Sequence, residues 1–152
     1  MNTKPRHPLA LLLLSILLLA WAGTASAVTI VVDSDTLWST IVSGNGVLGQ
    51  PAPDDDIKIV NGGTLWVDIT TAACRNIQIG DATTSGILRF QDYPSAGSST
   101  LTLNGLITWG GTVTGNAIIL SSGAARNSTL IIPNGFIAPG PGTGSFQAGL
   151  GV

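Results

Sequence analysis

Apolar and polar positions alternate with period two over short runs between Ile57 and Ile132, and the runs recur. One set reads Ile57-Lys58-Ile59, Ile77-Gln78-Ile79, Leu101-Thr102-Leu103 and Ile118-Ile119-Leu120. A second reads Leu65-Trp66-Val67, Leu88-Arg89-Phe90, Ile107-Thr108-Trp109 and Leu130-Ile131-Ile132. Starts in the first set are 20, 24 and 17 residues apart, and in the second 23, 19 and 23. Alternation of this kind is what half-buried strands show, and a near-regular period of roughly 20–25 residues points to a solenoid. The register directs Ile57, Ile59, Leu65, Val67, Ile77, Ile79, Leu88, Phe90, Leu101, Leu103, Ile107 and Trp109 inward. Lys58, Trp66, Gln78, Arg89, Thr102 and Thr108 then face outward.

Corners between the runs carry Asn61-Gly62-Gly63, Gly80-Asp81, Asn104-Gly105 and Ser121-Ser122-Gly123. Asn, Asp and Ser hydrogen-bond their local backbone and Gly accepts positive φ, so these are turns with a mechanism. The expected architecture is all-β: a right-handed parallel β-helix of about four coils, two strands each, in a single domain over residues 28–132. An antiparallel β-sandwich or jelly roll uses the same ingredients and is the alternative. Val28–Val32 and Thr36–Val42, the latter a strand or a short helical turn, form an N-terminal cap over residues 28–50. Past Ile132 the alternation stops. Residues 133–152, with Pro139-Gly140-Pro141-Gly142, read as a Pro/Gly-rich tail or the start of a continuation of the stack.

Ahead of this pattern, Lys4, Arg6 and His7 precede an apolar run from Leu9 to Gly23, and Ala25-Ser26-Ala27 follows. That is the layout of a signal peptide over residues 1–27, cleaved after Ala27. The run is short against the roughly 20 residues that span a bilayer, so no membrane span is expected after cleavage, and the protein is expected to be secreted, periplasmic or at the cell surface. The remaining chain holds Lys58, Arg75, Arg89 and Arg126 against eight Asp and no Glu, a net charge of −4. So few cations argue against nucleic acid as a partner. The only His is His7, so the mature chain has no imidazole for a catalytic triad or a His-based zinc site. Cys74 is the single Cys, which excludes an intramolecular disulfide. It reads as a small buried hydrophobe or as a thiol paired between chains.

Candidate chemistry is sparse. Asp54-Asp55-Asp56 is the one acidic cluster, and Asp54 and Asp56 are candidate Ca²⁺ ligands; the competing reading is a solvated loop in which Asp56 caps the first strand. A Ca²⁺-dependent polysaccharide lyase would draw on Asp54, Asp56, Asp68, Asp81, Lys58, Arg75 and Arg89, but the register sends Lys58 and Arg89 to different faces, away from the hydrogen-bond reach that acid–base catalysis needs. Trp66 is outward, with Arg89 expected beside it, and the two are the candidate ligand-binding residues. An exposed Trp is a platform for a sugar ring, and Trp–Arg stacking is a structural use of the same geometry. Asn127-Ser128-Thr129 is a glycosylation sequon in a eukaryotic host.

Residues 37–115 resemble the eight-glycine (G-eight) extracellular β-helical module of secreted and cell-surface proteins. The resemblance is carried by Trp38, by Pro51-Ala52-Pro53-Asp54-Asp55-Asp56-Ile57-Lys58-Ile59 and by Gly63-Thr64-Leu65-Trp66-Val67-Asp68. Ile77-Gln78-Ile79-Gly80, Gly86-Ile87-Leu88-Arg89-Phe90 and Leu101-Thr102-Leu103-Asn104-Gly105 complete it. It implies extracellular, carbohydrate-associated work and carries over no catalytic residue. With the residue reading, the expectation is a non-enzymatic module that acts as scaffold or binds a polysaccharide or cell-surface glycan. The alternatives are the lyase and a self-assembling surface-layer or adhesin subunit that associates through its uncapped C-terminal end.

Overall fold

The computed structural model describes residues 27–43, 51, 53–90, 98–111, 113–120, 128–137 and 144–148. The signal-like segment ahead of Ala27, the Ser121–Gly123 corner, Arg126, Asn127 and the Pro139–Gly142 run lie outside them. The described chain is all-β. Its strands are β1 (Thr29–Val32), β2 (Thr36–Leu37), β3 (Asp56–Ile59), β4 (Thr64–Val67), β5 (Thr71–Cys74), β6 (Asn76–Ile79) and β7 (Ile87–Phe90). There follow β8 (Ser99–Leu103), β9 (Ile107–Trp109), β10 (Asn116–Leu120), β11 (Ser128–Ile131), β12 (Phe136–Ile137) and β13 (Gly144–Ala148). A single 3-10 turn, Trp38–Thr40, follows β2, so the Thr36–Val42 segment is strand first and helical turn second.

The strands form three sheets. The first runs β1-β3-β6-β9-β12, the second β2-β4-β7-β10-β13 and the third β5-β8-β11. Every pairing among them is parallel. From β3 onward the chain visits the first, second and third sheets in turn and then begins again. Parallel pairing overturns the antiparallel sandwich, which needs hairpin neighbours, and the connections here are the crossovers that parallel strands require.

All twelve residues assigned inward are buried, and they share one core with Val32, Trp38, Ile41, Ala72, Cys74 and Ile118. The six assigned outward are each half-buried. The pairing between runs departs from expectation. Ile77 faces Ile107 in the first sheet, Leu88 faces Ile118 in the second, and Leu101 faces Ala72 and Leu130 in the third. Leu101 therefore belongs neither beside Ile77 nor beside Ile118. Three runs recur rather than two, because Thr71-Ala72-Ala73-Cys74 is a strand in its own right. Pairing also continues past Ile132, where β12 joins β9 and β13 joins β10. Among the described residues no helix is long and apolar enough to cross a membrane.

Candidate functional site

Burial of Leu65, Val67, Leu88 and Phe90 fixes the facing of β4 and β7, and alternation turns Trp66 and Arg89 to the outer surface of the second sheet. The strands pair with Trp66 directly opposite Arg89. Neighbouring strands lie about 4.8 Å apart, which puts the guanidinium within reach of the indole. Arg89 Cζ sits 4.6 Å from the Trp66 ring centroid, a cation–π contact. Leu37 lies beside Trp66 on one side and Ile119 beside Arg89 on the other, so the outward column reads Leu37, Trp66, Arg89, Ile119. Arg89 Nε is buried with no hydrogen-bond acceptor. Among the described residues the ion pairs are Lys58–Asp81 and Arg75–Asp56, and Arg89 is in neither.

The Asp54–Asp56 cluster does not act as one group. Asp54 is exposed, while Asp55 is 1% exposed and its Oδ1 accepts the Val28 N–H at 3.1 Å. Asp56 opens β3 and accepts Arg75 Nε–H at 2.8 Å and Asn76 Nδ2–H at 2.8 Å. The cation at Asp56 is thus the Arg75 guanidinium, whose hydrogen bonds hold this carboxyl below its usual pKa. Among the described residues no group of three or more His, Cys, Asp or Glu side chains is placed to hold a metal ion. The lyase set is equally dispersed: Lys58 pairs with Asp81 at 3.6 Å on the first sheet, and Arg89 stands on the second.

Two of the remaining acids, Asp68 and Asp35, work as staples between sequence-distant segments, a role the sequence reading missed. Asp68 accepts the Ser39 N–H at 2.9 Å and the Ser39 hydroxyl, tying the 3-10 turn to the end of β4. Asp35 accepts the Thr64 N–H at 3.1 Å. Asp81 closes its own turn by accepting the N–H groups of Thr83 at 2.9 Å and Thr84 at 2.8 Å, and these hold its carboxyl far below the ordinary range. The outer face of the first sheet bears a shallow groove of about 350 Å³ that includes Asp56, Lys58, Asn76, Gln78 and Thr108. Four of these side chains are already engaged: Asp56 with Arg75, Lys58 with Asp81, Asn76 Oδ1 with the Leu106 N–H and Gln78 Nε2 with the Gly80 carbonyl.

Asp56 and Asp81 both have folded-state pKa values below the 3.8 of an unperturbed Asp. Their stabilisation is therefore complete above the unfolded pKa and lost as pH falls through the folded values. Urea midpoints are expected to stay level from neutral pH down to about 4 and to drop below it. Asp81→Asn, which cannot titrate, should reduce that drop. A midpoint that rises on acidification would contradict the assignment.

Cys74 is fully buried, and burial, reinforced by the negative charges of Asp56 and Asp55, pushes its thiol pKa strongly upward. A thiol so placed is inert. It is expected to resist a disulfide reagent in the native protein and to titrate as one equivalent in 6 M guanidinium; rapid native labelling would show that β5 opens.

No protein-family model matches the chain, and neither a curated protein nor a solved structure matches it.

Proposed function

We propose that the three sheets close into a right-handed parallel β-helix with three strands per coil, and that this body is a secreted, non-catalytic scaffold that presents a glycan-binding face. The β-helix is supported by the rotating order of visits to the sheets and by parallel pairing throughout, since parallel crossover connections are right-handed in the great majority of folds. The setting outside the cell is supported by the signal-like N-terminal segment and by the resemblance to the eight-glycine module. The observation that carries the binding role is the outward Trp66, held by a buried framework of Leu65 and Val67 and aligned with Leu37. An indole on a flat sheet face offers an apolar plane to the C–H face of a pyranose.

Affinity gel electrophoresis in a panel of soluble polysaccharides tests this. At least one polymer is expected to retard the protein, and Trp66→Ala is expected to abolish most of that retardation while leaving the unfolding free energy within about 0.5 kcal/mol of the parent, as for other surface changes. Absence of retardation by every polymer, or retardation that Trp66→Ala leaves intact, would leave the scaffold role alone.

A further inference from the structure

We infer that the ligand of the second-sheet face is an uncharged polysaccharide, and that Arg89 is a displaceable cover over the Trp66 ring rather than a ligand-binding cation. The inference rests on the glycan-binding reading above and specifies its ligand and its control. Three observations support it. The outward column Leu37, Trp66, Arg89, Ile119 contains no acid and one cation, and that cation is already stacked on the aromatic ring a sugar would need. The chain carries eight acidic against six basic residues, so its overall field disfavours a polyanion. Finally, Arg89 is held weakly. Its Nε is a buried donor without an acceptor, and among the described residues no carboxylate forms an ion pair with it. A guanidinium anchored as a ligand site would ordinarily be fixed by the hydrogen bonds it donates to neighbouring acceptors, whereas this one is fixed by stacking.

Swinging Arg89 off the indole loses the cation–π contact but returns Nε–H to water, so the two effects partly offset each other. A sugar ring arriving at Trp66 therefore displaces the guanidinium at small cost and takes over the ring face. A ligand whose recognition depended on Arg89 would show the reverse: loss of the side chain would remove binding.

The test uses the full chain with hydroxyethyl cellulose as the neutral probe and polygalacturonate as the anionic one, comparing the parent with Arg89→Ala and Arg89→Lys. Arg89→Ala is expected to bind the neutral polymer about two- to five-fold more tightly, the factor that a cation–π contact at an exposed site represents. Arg89→Lys, which keeps the charge but loses the planar stack, should fall between. Acrylamide quenching of tryptophan fluorescence should increase in Arg89→Ala without any ligand, since the ring is uncovered. Polygalacturonate should not bind the parent. Weaker or unchanged neutral binding in Arg89→Ala, unchanged quenching, or preference for the anionic polymer would overturn the cover. If neither polymer nor any other polysaccharide retards the parent, the glycan-binding reading itself falls; if a neutral polymer binds through Trp66 and Arg89→Ala weakens it, only the present inference does.

Discussion

Leu88→Ala is expected to destabilise the protein by about 2–5 kcal/mol, the range for removing a buried leucine from a core that relaxes only partly around the cavity. Leu88 is fully buried in the middle strand of the second sheet, with Leu65 beside it on β4 and Ile118 on β10. Both flanking strands are held by the same ladder, so neither can close on the void without breaking register. Against a total stability of about 5–15 kcal/mol for a domain of this size, the loss is a large fraction. Urea denaturation should show a midpoint lower by about 1 M or more with little change in slope. Thr102→Ala, on the outer face of the third sheet, should shift the midpoint far less. Equal effects at the two positions would contradict the inward and outward assignment.

Gly80→Ala should be comparably damaging although it adds only one methyl group. Gly80 has φ of +73°, which costs a residue with Cβ about 1–2 kcal/mol. An added Cβ there would also strike the side chain of Asn116. Asn116 is 1% exposed, and its Oδ1 accepts the Gly86 N–H at 3.0 Å, so displacing it strands a buried donor and acceptor at about 1–3 kcal/mol more. Together the expected loss is about 2–5 kcal/mol. Gly62→Ala separates the two causes: its φ is +76° but nothing lies within 4 Å of the new methyl, so only the backbone cost of about 1–2 kcal/mol should appear. Similar values for the two variants would show that the Asn116 contact carries no weight.

What the sequence made legible depended on whether the information was local. The facing of each strand is a period-two property, and Leu and Ile at alternate positions declare it without reference to any partner, so all twelve inward residues are read correctly. Strand partners are non-local, and there the reading fails after the first step. Ile57 to Ile77 is 20 residues and Leu65 to Leu88 is 23, whereas Ile77 to Ile107 and Leu88 to Ile118 are each 30. A period set by the short step places Leu101 where Ile107 belongs. The strand that would have corrected it, β5, points only Ala72 and Cys74 inward, side chains too small to mark a strand by hydrophobicity. Past Ile132 the cause is different: Pro133, Gly135 and Pro139-Gly140-Pro141-Gly142 flank β12 and β13 and interrupt the alternation that would mark them.

The candidate site follows the same rule. Trp66 and Arg89 are joined by the one register step of the second sheet that the spacing gives correctly, so their contact is visible in advance. The Asp35–Thr64, Asp55–Val28 and Asp68–Ser39 staples span 29, 27 and 29 residues. They become visible only once the three-strand order is known. Asp54 and Asp56 stand two apart, and proximity in sequence suggests a shared ion where the fold instead gives Asp56 to Arg75.

The three-strand order is the claim on which the proposed binding face and its proposed cover both depend, and paired cysteines test it most directly. Parallel neighbours directly opposite each other lie within the Cα separation of about 4.4–6.8 Å that a disulfide accepts. Gln78 stands opposite Thr108 and not opposite Thr102, which belongs to the third sheet. With Cys74 replaced by Ala, the Gln78→Cys/Thr108→Cys protein should form an intramolecular disulfide on mild oxidation, and the Gln78→Cys/Thr102→Cys protein should not. A disulfide in the second protein and none in the first would restore a two-strand repeat and contradict the architecture described here.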